Sequence, residues 1–226
     1  MSSKSCSCAD EKNVDNNETN RQVLRLVVET DPILHNPIDE MSLEDICSDE
    51  TKRIIANMVY SIRSKQLENA NAPFVKAAGM AANQWNLKKR IFLFCPQGND
   101  GKIKVIFNPT YEPVLSAIQS KDEPKMEVAD QFINLDREGC FSVPFAYGIV
   151  ERYTTVKIGY IDEKGVQHKD EELSGWPARV WQHETDHLNG LLFCSKKLGL
   201  EKGPNCTEFR RFENKLEYEK NLPKKS

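Results

Sequence analysis

Residues 174–190, read Ser-Gly-Trp-Pro-Ala-Arg-Val-Trp-Gln-His-Glu-Thr-Asp-His-Leu-Asn-Gly, constrain this chain more than any other stretch. They hold His183-Glu184-Thr185-Asp186-His187, which places two of the chain's four histidines four residues apart. On a helix, positions i and i+4 lie one turn apart on one face. Two imidazoles so placed reach one metal ion, and the glutamate between them is close enough to handle a proton. The stretch reads as a helix. Ser174 is the expected N-cap, Pro177 falls in the first turn, where a missing donor costs nothing, and Gly190 is the expected stop. Trp176, Val180, Trp181, His183, His187, Leu188 and Leu191 form a broad stripe at helical spacing. Arg179, Gln182, Glu184, Asp186 and Asn189 are left for the remaining surface. The spacing alone fits a metal helix and equally a core helix with packed histidines. A third ligand would decide.

The setting is narrowed by what the chain lacks. Its 226 residues suggest one domain with tails. A net charge of −3, from 31 basic and 34 acidic residues, gives no electrostatic case for nucleic acid or an anionic membrane surface. No apolar run approaches the roughly 18 residues of a spanning helix. The N-terminus has no apolar core of a secretory signal. The cytoplasm is the expected compartment, or an organelle if a longer precursor was trimmed. Seven cysteines, odd in number and irregular in spacing, fit a reducing compartment rather than a disulfide framework.

Taken in order, residues 1–21 are polar and are expected to form a disordered tail that includes Cys6 and Cys8. Residues 22–226 are expected to form a single catalytic domain. Residues 23–28 read as a short strand, and Ser42 with Asp45 as a helix cap. Ile54, Ile55, Met58, Val59, Ile62 and Leu67 predict one long helix over residues 51–70. Residues 89–94 and 104–107 read as strands around a Gly-rich turn, the second ended by Asn108-Pro109. Residues 112–136 read as a polar surface insertion. Residues 153–161 predict a strand, followed by a turn at 162–165 and a short return strand. Residues 207–221 predict a charged C-terminal helix. The fold class is α+β, with antiparallel or mixed sheets packed around a central metal-binding helix.

Candidates for the third ligand lie on both sides of the helix. Downstream there is no histidine, and Glu201, Glu208 and Glu213 sit in charged stretches. Upstream, Cys140 lies in the glycine-hinged segment Glu138-Gly-Cys-Phe-Ser142. A thiolate with two imidazoles is a catalytic ligand set, whereas a lone cysteine is commonly just a small core residue. Three segments taken together resemble the motifs of the peptide deformylase family in the family's order. Gly79-Met-Ala-Ala-Asn-Gln84 resembles G-x-G-x-A-A-x-Q, Glu138-Gly-Cys-Phe-Ser142 resembles E-G-C-x-S, and His183-Glu-Thr-Asp-His187 resembles H-E-x-D-H. The flanks agree at Phe107-Asn-Pro109, Val143-Pro144 and Leu188-Asn-Gly190, and the resemblance spans residues 22–195. Two positions depart from it. Ala77 stands where the family has its first glycine, and Tyr147 stands where bacterial members often have arginine. Gly175-Trp-Pro-Ala-Arg179 resembles the G-W-x-A-R form of organellar and some bacterial members.

The resemblance implies a metal-dependent hydrolase that removes the formyl group from formyl-methionine on nascent polypeptides. It implies Cys140, His183 and His187 as ligands of one divalent metal, Fe2+ in many members, with Zn2+, Ni2+ or Co2+ as substitutes. It implies Glu184 as general base. The oxyanion would be met by the Gln84 side chain and the backbone N–H of Phe141. The peptide would add as a strand near Ala78, Gly79 and Gly139, and Ala78, Trp176, Val180 and His183 would wall the methionine pocket. Arg152 is a candidate partner of Glu138 or of another buried acid, and Asp186 is a candidate orienter of a ligand histidine or else a solvated or core-tethering residue. The competing readings are a paralogue acting on another formylated amine and a ribosome-associated binding protein docked near the exit tunnel.

Overall fold

The computed structural model describes residues 21–115 and 132–221. Three short helices come first: α1 (Leu43–Cys47), α2 (Asp49–Ile62) and α3 (Ser64–Asn69). Eight strands follow: β1 (Gly79–Ala81), β2 (Ile91–Phe94), β3 (Lys104–Pro113), β4 (Ile133–Cys140), β5 (Val143–Tyr153), β6 (Thr155–Ile161), β7 (Gln167–Ser174) and β8 (Cys206–Arg211). Helix α4 (Gly175–Leu188) lies between β7 and β8 in the chain, and α5 (Lys215–Lys220) comes last. Every strand pair is antiparallel, in one sheet ordered β1-β2-β3-β6-β7 and another ordered β4-β5-β8.

Helix α4 is packed between the two sheets, so it is buried on more than its apolar stripe. Arg179, Gln182, Glu184 and Asp186, assigned to the surface from periodicity, are all buried. Each has partners that sequence spacing does not display, Glu184 at one carboxylate oxygen through the Ala81 backbone N–H. Gln182 accepts from the Tyr153 backbone N–H at 3.0 Å and donates to its carbonyl at 2.9 Å. Trp181 donates to the Thr110 carbonyl at 3.1 Å and meets Phe92, Phe94 and Tyr160 edge-on, with ring centroids 5.0–5.5 Å apart. Ser174 is the N-cap residue but makes no capping bond, and its hydroxyl lies 3.0 Å from that of Thr155.

Several expectations are corrected. Residues 23–28 form no strand. Their backbone bonds go to scattered partners, Leu24 N–H to the Ser61 hydroxyl at 2.8 Å and Val27 N–H to the Gln84 carbonyl at 2.9 Å. The long helix breaks at Arg63, whose ψ of 140° is extended. Its guanidinium donates to the carbonyls of Asn99 and Gly101, a tertiary pull that outweighs helix continuity. Strand β3 runs through Asn108-Pro109 instead of ending there. Asn108 takes a left-handed φ of 47° at a register shift, and its amide clamps Met41 through both backbone groups. The 112–136 insertion is shorter than expected, since Glu112 and Pro113 belong to β3 and residues 133–136 to β4. Residues 116–131, like the tail at 1–20, lie outside the described residues. The C-terminal helix is reduced to α5, because residues 206–211 pair with β5 from Ala146 to Val150. Finally, the return strand extends to Ser174. It is an edge strand with mostly exposed residues, which removes the alternation that marks a strand in sequence.

The end of α4 is fixed tightly. Leu188 carbonyl accepts from Ile38 N–H at 2.9 Å and from the buried Arg90 guanidinium at 3.0 Å. Gly190, φ 74°, turns the chain against residues 35 and 36, where an added Cβ would stand 2.7 Å from the Asn36 backbone. Gly190→Ala combines a disfavoured φ with backbone overlap and is expected to destabilise by about 2 kcal/mol or more. A thermal unfolding midpoint equal to wild type would contradict that packing.

Candidate metal centre

The site forms where three segments meet. Helix α4 contributes His183 and His187, with ring centroids 4.9 Å apart. Cys140 ends β4, directly before the two-residue turn into β5. One ligand atom from each of Cys140, His183 and His187 falls within a cluster no wider than 4.8 Å, and Cys140 Sγ lies 3.2 Å from His187 Nε2. A soft thiolate and two imidazoles converging this closely, with no described fourth side chain closing the set, fit a metal with an open position.

Glu138 orients the set from behind. Its carboxylate is 2.9 Å from His183 Nδ1, which directs the other ring nitrogen at the cluster. Arg152 on β5 forks onto both Glu138 oxygens at 2.8 and 3.0 Å, and Arg179 adds a bond at 2.7 Å. Burial alone would raise the Glu138 carboxyl. Arg152 and the hydrogen bond from His183 outweigh it and hold Glu138 well below the usual carboxylate range. Arg152 also donates to Asp186, which accepts from the Tyr111 hydroxyl at 3.0 Å. Asp186 therefore anchors Arg152 instead of orienting a histidine. His187 has no partner at Nδ1 among the described residues and is held through its carbonyl by the Asn83 amide. Burial and the charges of His183 and Arg152 push its pKa well down, which keeps a neutral imidazole available as a ligand.

Gln84 is fixed at both ends of its amide. Its oxygen accepts from Ala81 N–H at 3.0 Å, and its nitrogen points at Cys140 Sγ at 3.4 Å and Ser142 Oγ at 3.3 Å. Glu184 is buried, with Oε2 unpartnered among the described residues. Burial raises its pKa to about 7. Gly79 on β1 makes room for it, since a Cβ there would lie 2.7 Å from Glu184 Cγ.

A cavity of about 250 Å³ opens onto these groups. Ala78, Gly79, Gly139, Phe141, Trp176 and Val180, named from sequence, all line it beside Gln84, Cys140, His183 and Glu184. Sequence reasoning missed four further lining residues, Phe74, Lys76, Arg137 and Tyr218. None lies in a motif, and Tyr218 reaches the cavity only because α5 folds back on β5, where it meets Phe74 with ring centroids 5.6 Å apart. Arg179 was also missed as part of the site, though it closes the Gly-Trp-x-Ala-Arg segment. Ala77 has no positive φ, so its methyl group introduces no backbone strain.

The description "Polypeptide deformylase" belongs to the family model that matches residues 23–202. The chain belongs to that family. Peptide deformylase 1A, chloroplastic, of Solanum lycopersicum is 31% identical over 185 residues, covering 79% of this chain and 61% of that protein. Peptide deformylase 2 of Corynebacterium efficiens is 33% identical over 175 residues, covering 77% of this chain and 79% of that protein. Among solved structures, a K3U-bound class I type b peptide deformylase from Acinetobacter baumannii superposes with a TM-score of 0.59 at 27% identity, covering 77% of this chain and 98% of that one. A peptide deformylase from Synechococcus elongatus in complex with actinonin gives 0.58 at 26% identity, covering 87% and 82%. Deformylases are metal-dependent hydrolases that act on formylated nascent peptides, and the Cys140–His183–His187 group is the candidate metal site of this member.

The raised Glu184 pKa makes a stability statement. The folded state holds this proton more tightly than the unfolded chain, so stability falls as pH climbs from about 4.5 toward 7. In metal-stripped protein, Glu184→Gln is expected to be the more stable form above pH 7, by up to about 3 kcal/mol. The advantage should shrink toward pH 5. A stability difference that stays flat between pH 5 and 8 in denaturant titrations would contradict a carboxylate whose burial outweighs its partners.

Proposed function

We infer that this chain hydrolyses the formyl amide of formyl-methionine at the start of nascent polypeptides, releasing formate and a free amino terminus. The observation that carries this reading is the convergence of Cys140, His183 and His187 with a buried Glu184 whose Oε2 has no partner among the described residues, all but His187 lining one cavity. A divalent ion held by the three ligands would supply Lewis acidity and an open position for water. Ferrous iron is the ion we assign, with zinc, nickel or cobalt as substitutes. Glu184 takes a proton from the attacking water and returns it to the amine as the carbon–nitrogen bond breaks. A pKa of about 7 suits both transfers. The side-chain N–H of Gln84 and the backbone N–H of Phe141 stabilise the oxygen of the tetrahedral centre. Glu138, pinned by Arg152 and Arg179, keeps His183 in the tautomer that binds metal.

The substrate backbone adds beside β1 at Ala78 and Gly79 and beside Gly139 on β4, which recognises peptides with little regard to sequence. Trp176, Val180, Ala78 and the His183 ring wall the methionine side chain. Residues 22–226 act as one catalytic domain. The substrate is met on the ribosome, near the exit tunnel. No helix among the described residues is long and apolar enough to cross a membrane. The cytoplasm is the proposed compartment, with an organelle as the alternative that the tomato relative raises.

Formate release from formyl-Met-Ala-Ser, measured anaerobically with iron and with zinc, tests this reading. Glu184→Ala is expected to keep its metal and lose at least about 100-fold in turnover. Turnover retained in that variant removes the general-base role, and a metal-loaded wild type that releases no formate points to a paralogue acting on another formylated amine. Glu138→Gln is expected to weaken metal affinity by about 10- to 100-fold. Chelator competition at equal folded fraction measures this, and unchanged affinity would show that Glu138 serves packing alone.

A further inference from the structure

Three Lys and Arg side chains line the groove, Lys76, Arg137 and Arg179, and they are not equivalent. Arg179 is fully committed, donating to Glu138 at 2.7 Å and to the carbonyls of Val150 and Asn134 at 3.1 and 2.7 Å. Lys76 is exposed and lies 3.4 Å from Asp100. Arg137 is different. Its guanidinium carbon sits over the Tyr147 ring, 5.0 Å from the centroid, and its buried Nη1 has no hydrogen-bond partner among the described residues. A guanidinium stacked on a ring still presents its N–H groups sideways, in its own plane. A buried donor left unpaired is costly, so it marks a place where a binding partner gains by arriving. Among the described residues, the only carboxylates lining the groove are Glu138, held by Arg152, Arg179 and His183, and Glu184. Neither answers Arg137.

Position fixes what would. Arg137 precedes the candidate ligand Cys140 by three residues on β4; a register shift between Glu138 and Cys140 interrupts the strand's alternation, and both residues line the groove, on the order of 10 Å apart at roughly 3.3 Å per residue. A peptide with its formyl group at Cys140 that runs along β4 toward Arg137 rises about equally fast, which brings its second and third residues level with Arg137. We propose that Arg137 is a specificity-determining residue that selects an acidic side chain, Asp or Glu, within the two residues after the formyl-methionine. The proposal deepens the deformylase reading and rests on it. A carboxylate takes two parallel N–H bonds from a guanidinium, whereas a neutral amide of the same shape takes fewer and gains no charge attraction.

The test compares kcat/KM for matched substrates, formyl-Met-Glu-Ser against formyl-Met-Gln-Ser and formyl-Met-Ala-Glu against formyl-Met-Ala-Gln, with amidated C-termini. Wild type is expected to favour the Glu member of at least one pair by about fivefold at low salt, less at high salt. Arg137→Gln is expected to bring that ratio to one, and Arg137→Lys to keep part of it. Reading a ratio cancels any general loss caused by removing the stack on Tyr147. Equal rates within both pairs in wild type, or an unaltered ratio in Arg137→Gln, overturns the proposal. Tryptophan fluorescence titration with the deformylated peptides Met-Glu-Ser, Met-Gln-Ser, Met-Ala-Glu and Met-Ala-Gln, likewise amidated, reads the same preference without turnover. Charge-selective binding in a chain that releases no formate would sink the deformylase reading and keep the role of Arg137. Formate release with no charge selectivity would do the reverse.

Discussion

Burying the Glu138 carboxylate is the act on which the rest of the site depends. A bare carboxylate in that position would be untenable, and the protein surrounds it with two guanidinium groups and an imidazole. Those donors come from β5 and from two turns of α4, so one side chain on β4 ties three elements into register. Arg152 repeats the device in reverse. It reaches Glu138 on one side and Asp186 on the other, three residues beyond His183 on the helix. Removing any member would strand a buried charge, which typically costs about 3–5 kcal/mol. The cluster therefore holds the ligands rigidly before any ion arrives.

The two candidate ligand histidines are prepared by opposite means. His183 is set through its ring, with Nδ1 against Glu138 and its pKa lifted despite burial by hydrogen bonds to Cys140 and Glu138. His187 is set through its backbone, its carbonyl clasped by Asn83 while the next carbonyl, of Leu188, is capped by Ile38 and Arg90, and burial keeps its ring pKa well down. Asn83 stands next to Gln84 in the same tight turn, Ala82–Trp85. One turn thus positions a ligand histidine and an amide aimed at the ligand thiolate. The small residues before it, Ala77, Ala78, Gly79 and Ala81, leave room for the chain to run close to α4.

How much of this the sequence reveals depends on where the information sits. Cys140, His183, His187, Glu184 and Gln84 were legible because their chemistry fixes residue type and spacing within short segments. The pairing of Arg152 with Glu138 was legible as a candidate because both are charged in apolar surroundings. The second partner, Arg179, was not, since helical periodicity sorts charge to the surface and cannot see a second sheet covering the far face. Strand β8 was misread for a related reason. Thr207, Glu208, Arg210 and Arg211 are exposed on an edge strand, so no buried alternation distinguishes residues 206–211 from a charged helix. The break at Arg63 and the continuation of β3 through Asn108 depend on partners about 40 and 67 residues away, Gly101 and Met41. Local propensity carries no trace of either.

Gly79 shows why the proposed base and the proposed substrate edge are inseparable here. Strand β1 is the last strand of its sheet, so one side of its backbone is left free to pair with an incoming peptide. The same strand lies so close to α4 that no side chain fits at Gly79 without striking Glu184. That contact strips water from the carboxylate and is part of what raises its pKa. A larger residue would do two things at once: push the base out of the groove and let solvent lower its pKa. The chain therefore cannot widen the peptide edge at this position without weakening the base. Sequence tolerance downstream of methionine must instead be tuned farther along the groove, at side chains such as Arg137 that touch neither metal ligand nor base.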